Sequence, residues 1–252
     1  MNYKSLYYKY KKKYLDAKKE YNMKGGANSK VVKPYNNIRL FASQMYLQNI
    51  DKIIVTKRVL AVCEKNNINP SESSIIDVGS GHGDKSLSLS FYFNKVYGFD
   101  ISPDMLEDSE KNKKRLKEIR NDFNPDKVIF NMGSFYEKLS IEEPVNVILL
   151  SNSIHYAEEN NVKIILDNLL EHLKKDGIII ILEPGEDSEF GDQRLNQPGE
   201  LRDNKLKKIN DVRSEIRGYL ENSTQKVKKS FFNKLTDEDG KIRTFMVVIK
   251  KN

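Results

Sequence analysis

The period of apolar and polar positions changes several times along the chain. From Ser74 onward, short apolar runs alternate with stretches in which apolar residues return every three or four positions. Parallel strands joined by helices produce this alternation. The runs predict strands at Ser74–Val78, Lys95–Phe99, Lys127–Met132, Val145–Ser151 and Ile178–Glu183, with helices at Lys85–Phe93, Pro103–Phe123 and Asn160–Leu173. After Glu183 comes a polar, acidic loop, Pro184–Pro198, and then an amphipathic helix over Asp203–Leu220 with Leu206, Ile209, Val212, Ile216 and Leu220 on one face. Strands at Lys226–Leu235 and Ile242–Lys250 follow, joined by the turn Asp237-Glu238-Asp239-Gly240. That turn makes an antiparallel hairpin, so the expected fold is α/β, a doubly wound Rossmann-like mixed sheet of about seven strands.

The chain before Ser74 reads differently. Asn37–Asn66 is expected to be helical, with Ile38, Phe41, Met45, Ile53, Val59 and Val62 facing inward, and Asn67–Ser73 ends it at Pro70. At the start, Tyr3, Tyr7, Tyr10, Tyr14, Ala17 and Tyr21 advance by steps of four and three, which gathers them on one helical face with lysines elsewhere. Gly25 and Gly26 stop that helix, and Ala27–Pro34 is a linker. The organisation expected is a leader (1–26), a linker (27–34) and one domain (35–252), with 184–222 as a cover over the substrate.

Charge changes this picture only at the leader. The net charge is +7, from 43 basic and 36 acidic residues. Eight lysines against Asp16 and Glu20 fall within the first 26 residues, which leaves 35 basic and 34 acidic residues in the rest. A polyanion-binding core needs a basic excess of its own, so the leader alone is expected to contact an acidic partner or nucleic acid. The single cysteine, Cys63, excludes an internal disulfide and a multi-cysteine metal site, and no metal is expected. No run is long or apolar enough to span a bilayer as a helix, and the leader is not a secretory signal. An intracellular, cytoplasmic location is expected.

The most informative segment is Ile75-Ile76-Asp77-Val78-Gly79-Ser80-Gly81-His82-Gly83. A strand runs into three glycines and a helix follows, so the loop can turn tightly and let a ligand approach the backbone. The spacing Gly-x-Gly-x-Gly departs from the Gly-x-Gly-x-x-Gly of dinucleotide-binding loops. The next strand ends in Asp100, where a carboxylate can accept both hydroxyls of a ribose. Over about Ser74–Glu183 the chain resembles class I S-adenosylmethionine (SAM)-dependent methyltransferases, especially those acting on small molecules. The resemblance implies SAM as cofactor. Asp77, Gly79, Ser80, Gly81 and Gly83 would surround its methionine and ribose end, with Asp100 on the ribose and Ile101 on the adenine.

Later strand ends extend the resemblance. Gly133-Ser134-Phe135 follows the third strand, where the family often has an acid for the adenine amino group; Ser134 can bond there without charge. The fourth strand ends in Ser151-Asn152-Ser153-Ile154-His155-Tyr156, similar to the polar pair, apolar residue and histidine of many small-molecule methyltransferases. Ser151 and Asn152 would then face the cofactor. An imidazole titrates near neutrality, so His155 is a candidate base; Glu183, at the end of the fifth strand, is a second catalytic candidate. The loop has no Pro-Pro-Tyr run and no cysteine, which argues against exocyclic-amine DNA methylation and C5-pyrimidine attack.

The expected function is methyl transfer from SAM to a small-molecule acceptor. An RNA or protein methyltransferase held by the leader, and a SAM-binding protein without catalysis, are the alternatives. The leader, ending in Gly25-Gly26-Ala27, resembles those of proteins from giant DNA viruses of amoebae. That resemblance implies a viral protein in host cytoplasm or a virion, with possible cleavage after Gly26.

Overall fold

Seven strands form one sheet in the order β3-β2-β1-β4-β5-β7-β6. The strands are β1 (Ser74–Val78), β2 (Lys95–Asp100), β3 (Val128–Met132), β4 (Val145–Ser151), β5 (Leu173–Pro184), β6 (Val227–Thr236) and β7 (Ile242–Lys251). The structure, a computed structural model, describes residues 53–184, 199–223, 226–236 and 242–252, all within the compact unit Ile50–Asn252. The leader, the linker, the expected helix up to residue 52 and the acidic loop after Pro184 lie outside the described residues.

The first five strands pair in parallel, and β7 runs antiparallel between β5 and β6, as the turn after β6 predicts. The order reverses at β1, which starts the chain outward to β2 and β3 before β4 returns to its other side. In such sheets ligands sit beyond the carboxyl ends of the strands at this switch point. The carboxyl ends of β1, β2, β4 and β5 therefore lie along one edge.

Helices α1 (Ile54–Lys65), α2 (Asp84–Leu89), α3 (Pro103–Ile119), α4 (Val162–Glu171) and α5 (Gly199–Asn222) connect and cover the strands. Ile76, Val78, Ile148, Leu150, Ile179 and Ile181 are buried with Ile165, Leu169, Ile209 and Ile216 in one apolar cluster. Alternate residues of the same strands, Ile75, Val147, Leu149 and Ile180, are equally buried, so the central strands are covered on both faces. That is why they read as continuous apolar runs.

Some boundaries differ from expectation: the helices expected over Lys85–Phe93 and Pro103–Phe123 end at Leu89 and Ile119, and α5 starts at Gly199 rather than Asp203. β5 begins at Leu173, five residues early, because Asp176 adopts φ 61° and the register with β4 shifts between Val145 and Val147. Polar Lys174-Lys175-Asp176 hides this irregular start. In α5, Ile209, Val212 and Ile216 are buried as expected, and Tyr219 joins them, with its hydroxyl donating to Asp167 Oδ1 at 2.8 Å. The C-terminal half of α5 is thus packed into the helical layer.

Candidate active site

The glycine loop is held from beneath by β2. The amides of Gly79 and Ser80 both donate to Phe99 O, at 2.8 and 3.0 Å. Gly79, Gly81 and Gly83 all have positive φ, 75°, 57° and 80°, but they serve different ends. A side chain on Gly79 would put its Cβ 2.6 Å from Ser153 Cβ, so this glycine lets the β4 loop pack against the β1 loop. A Cβ on Gly83 would lie 2.6 Å from Phe130 Cζ; this glycine admits the β3 ring. A Cβ on Gly81 would meet nothing within 4 Å, so this is the open face.

Asp100 closes the loop electrostatically. Its Oδ2 accepts the Gly81 amide at 2.8 Å and its Oδ1 the Ser102 amide at 2.9 Å. Each carboxylate oxygen can accept more than one bond, so both retain capacity for a diol. Asp77 lies fully buried on β1, with Oδ2 accepting from Ser86 Oγ at 2.7 Å. Burial pushes its carboxyl pKa up, opposed by Lys85 and the Ser86 hydrogen bond. Lys85 Nζ reaches Ser151 O, at 3.3 Å.

Three buried polar atoms around this loop, Asp77 Oδ1, Ser80 Oγ and Ser153 Oγ, have no hydrogen-bond partner among the described residues. Each such atom costs about 1–3 kcal/mol if left unsatisfied. An open glycine, a carboxylate clasp and three orphaned polar atoms in one place fit a polar ligand bearing a ribose.

The residues assigned to the adenine side are more mixed. Gly133 donates its amide to Asp100 O at 3.1 Å, and a Cβ there would strike Phe99 Cδ1 at 2.7 Å. Ser134 is buried, and its Oγ accepts the Tyr136 amide at 3.2 Å, closing a local turn. Phe135 packs against the core and meets Tyr136 edge-on at 4.8 Å. Ile101, half-buried, follows directly on Asp100.

Across the seam lies the β4 loop. Asn152 takes φ 56°, is exposed, and donates its amide to Leu182 O at 2.9 Å. Glu183, at the end of β5, is completely buried and accepts three bonds. Its Oε1 takes the amides of Ser153 and Ile154 at 2.8 and 3.0 Å, and its Oε2 lies 2.6 Å from His155 Nδ1. With Glu183 ionised, Nδ1 is the donor of this bond. The two catalytic candidates, 28 residues apart in sequence, are one unit.

Other side chains complete the loop. Tyr136 Oη accepts the Glu158 amide at 2.6 Å, and Glu215 of α5 accepts the amides of Asn160 and Val162 at 3.0 and 3.2 Å. Glu215 supplies the N-terminal cap that Asn161 does not give α4. Neither Glu215 nor Lys85 stands out in the sequence, because each lies within an ordinary helical charge pattern.

A seven-stranded sheet of this order, with a glycine loop beyond β1 and a carboxylate holding it from the end of β2, is a Rossmann-like α/β domain. A methyltransferase-domain family matches residues 69–242, well over half of the chain, and the chain belongs to that family. S-adenosylmethionine is the cofactor on which this membership and the residues present agree. Among solved structures, the chain is similar to a proposed S-adenosyl-L-methionine-dependent methyltransferase from Methanococcus maripaludis, with 16% identity and TM-score 0.59, covering 90% of this chain and 96% of that one. It is also similar to the O-methyltransferase from Bacillus cereus in complex with S-adenosylhomocysteine (SAH), with 14% identity, TM-score 0.54 and coverage of 83% and 91%. The methyltransferase domain of the bacterial protein CtHen1 aligns with 20% identity, TM-score 0.54 and coverage of 77% and 95%. At these identities the likeness is one of fold. No curated protein matches the chain in sequence.

Proposed function

We propose that the protein transfers a methyl group from SAM to a small-molecule acceptor through an oxygen or similar proton-bearing nucleophile. Asp100 would hold the ribose, Asp77, Ser80 and Gly81 the methionine and ribose end, and Ile101 and Ser134 the adenine. Ser151 and Asn152, after β4, would face the cofactor. Bound there, SAM supplies a methyl group already activated by its sulfonium. What the chain must add is alignment, exclusion of water and removal of a proton.

The observation that carries the acceptor half is the Glu183–His155 pair. It is buried, with Nδ1–Oε2 at 2.6 Å, and it sits on the loop that packs against Gly79. Glu183 fixes the imidazole's orientation and tautomer, which leaves Nε2 as the atom able to accept the acceptor's proton. His155 is 2% exposed, so the transfer would occur away from bulk water. Glu183, with three bonds already accepted, is a positioning residue rather than a second base. The near-neutral charge outside the leader supports a small acceptor over a polyanion.

Labelled methyl transfer from SAM into separated small-molecule, RNA and protein pools tests this reading. The label should enter the small-molecule pool, and His155→Gln should lower turnover far more than SAH affinity. Label entering only RNA or protein would overturn the acceptor class. Near-normal turnover in His155→Gln would overturn the base.

A further inference from the structure

We infer that Lys85 binds the methionine carboxylate of the cofactor; this rests on the cofactor assignment above and names a residue that the assignment does not contain. Lys85 lies in the first turn of α2, half-buried, with its ammonium at the seam between the glycine loop and the β4 loop. Its one hydrogen bond among the described residues is to a main-chain carbonyl, Ser151 O, at 3.3 Å, and it forms no ion pair there. Other charged side chains near the glycine loop have at least one protein partner. Asp100 takes two amides, Asp77 takes Ser86, and His82 pairs with Asp108 at 3.3 Å.

An ammonium has three N–H donors, and a single long bond to a carbonyl uses one of them. A half-buried cation without a carboxylate partner is costly unless an anion joins it. The second, independent sign of a ligand is the set of unpartnered buried atoms beside it: Asp77 Oδ1, Ser80 Oγ and Ser153 Oγ. Lys85 is also close enough to Asp77 to pull that carboxyl's pKa down against its burial. Among the described residues, the seam thus carries one carboxylate oxygen without a partner and one cation without a carboxylate. A free α-amino acid group is the complementary chemistry, its ammonium toward Asp77 and its carboxylate toward Lys85. The amino-acid arm of the cofactor has that form. The adenosine part does not.

Calorimetry on the full chain separates the two parts of the cofactor. The probes are SAH, decarboxylated SAM, and 5′-methylthioadenosine, which keeps the adenosine and sulfur but lacks the amino-acid arm. Lys85→Met should weaken SAH binding roughly tenfold or more, while its affinity for 5′-methylthioadenosine and for decarboxylated SAM stays within about twofold of wild type. Lys85→Arg, which keeps the charge, should retain most of the SAH affinity and serves if Lys85→Met does not fold. Unchanged SAH affinity in Lys85→Met, or an equal loss for 5′-methylthioadenosine, would overturn the inference. Wild-type protein that binds none of the three probes would instead overturn the cofactor assignment beneath it.

Discussion

The glycine loop and the β4 loop, the proposed cofactor and acceptor halves of the site, are held by different means. The glycine loop is fixed by main-chain bonds to the end of β2 and by Asp100, a residue 19 positions from the amide it clasps. The β4 loop is fixed by side chains from elsewhere: Glu183 of β5, Tyr136 after β3 and Glu215 of α5, the last reaching across 55 positions. A loop held by its own backbone tolerates change in its neighbours. A loop held by distant carboxylates depends on each of them. The contrast suits one chemistry with a constant donor and variable acceptors, because the second half can be rebuilt without disturbing the first.

Removing the acceptor-side anchor should have the largest effect. Glu183→Ala strands two buried amides and an imidazole, and thermal or denaturant unfolding should show a loss of about 3 kcal/mol or more. A loss below about 1 kcal/mol would mean that the β4 loop is held some other way. Gly79→Ala tests the seam between the halves. It places a Cβ 2.6 Å from Ser153 Cβ at a positive φ, so stability should fall by about 3 kcal/mol and SAH binding with it. Glu215→Ala should cost only about 1 kcal/mol, the value of a cap, and raise the acceptor KM more than it alters SAH affinity. A change in SAH affinity of the same size would merge the two halves.

A pH test touches the same boundary. Burial lowers the pKa of His172, whose Nε2 accepts the Leu139 amide at 3.1 Å. The unfolded chain therefore takes up the proton more readily than the folded one. This contribution to stability is present above the ordinary histidine value of 6.5 and is lost as pH falls below it. His172→Gln should flatten that part of the stability–pH curve. The smallest effect is expected from the leader: a chain beginning at Ala27 should keep its melting temperature and SAH affinity. Unfolding of that truncated chain would make the leader part of the fold.

The sheet was legible because its strands are covered on both faces and read as apolar runs, and the Gly-Ser-Gly-His-Gly loop with Asp100 was legible because its parts are close in sequence. The start of β5 was not, since Lys174-Lys175-Asp176 conceals a strand that begins with an irregularity. His155 and Glu183 were each visible as strand-end residues, but their bond depends on β4 and β5 being neighbours, which no local pattern encodes. Gly83 carried the motif without revealing its use: packing against Phe130 is a long-range fact. Lys85 and Glu215 gave no signal, because a lysine or glutamate in a helix is ordinarily a solvated charge.

Asp100 offers the most direct test. Titrating SAH into wild type and Asp100→Ala by calorimetry should give one site in the wild type. The variant should lose about 2 kcal/mol or more, because a bidentate charged acceptor is gone and the Gly81 amide loses its clasp. Equal affinity in the two proteins would contradict the placement of the ribose, and with it the cofactor half of the site.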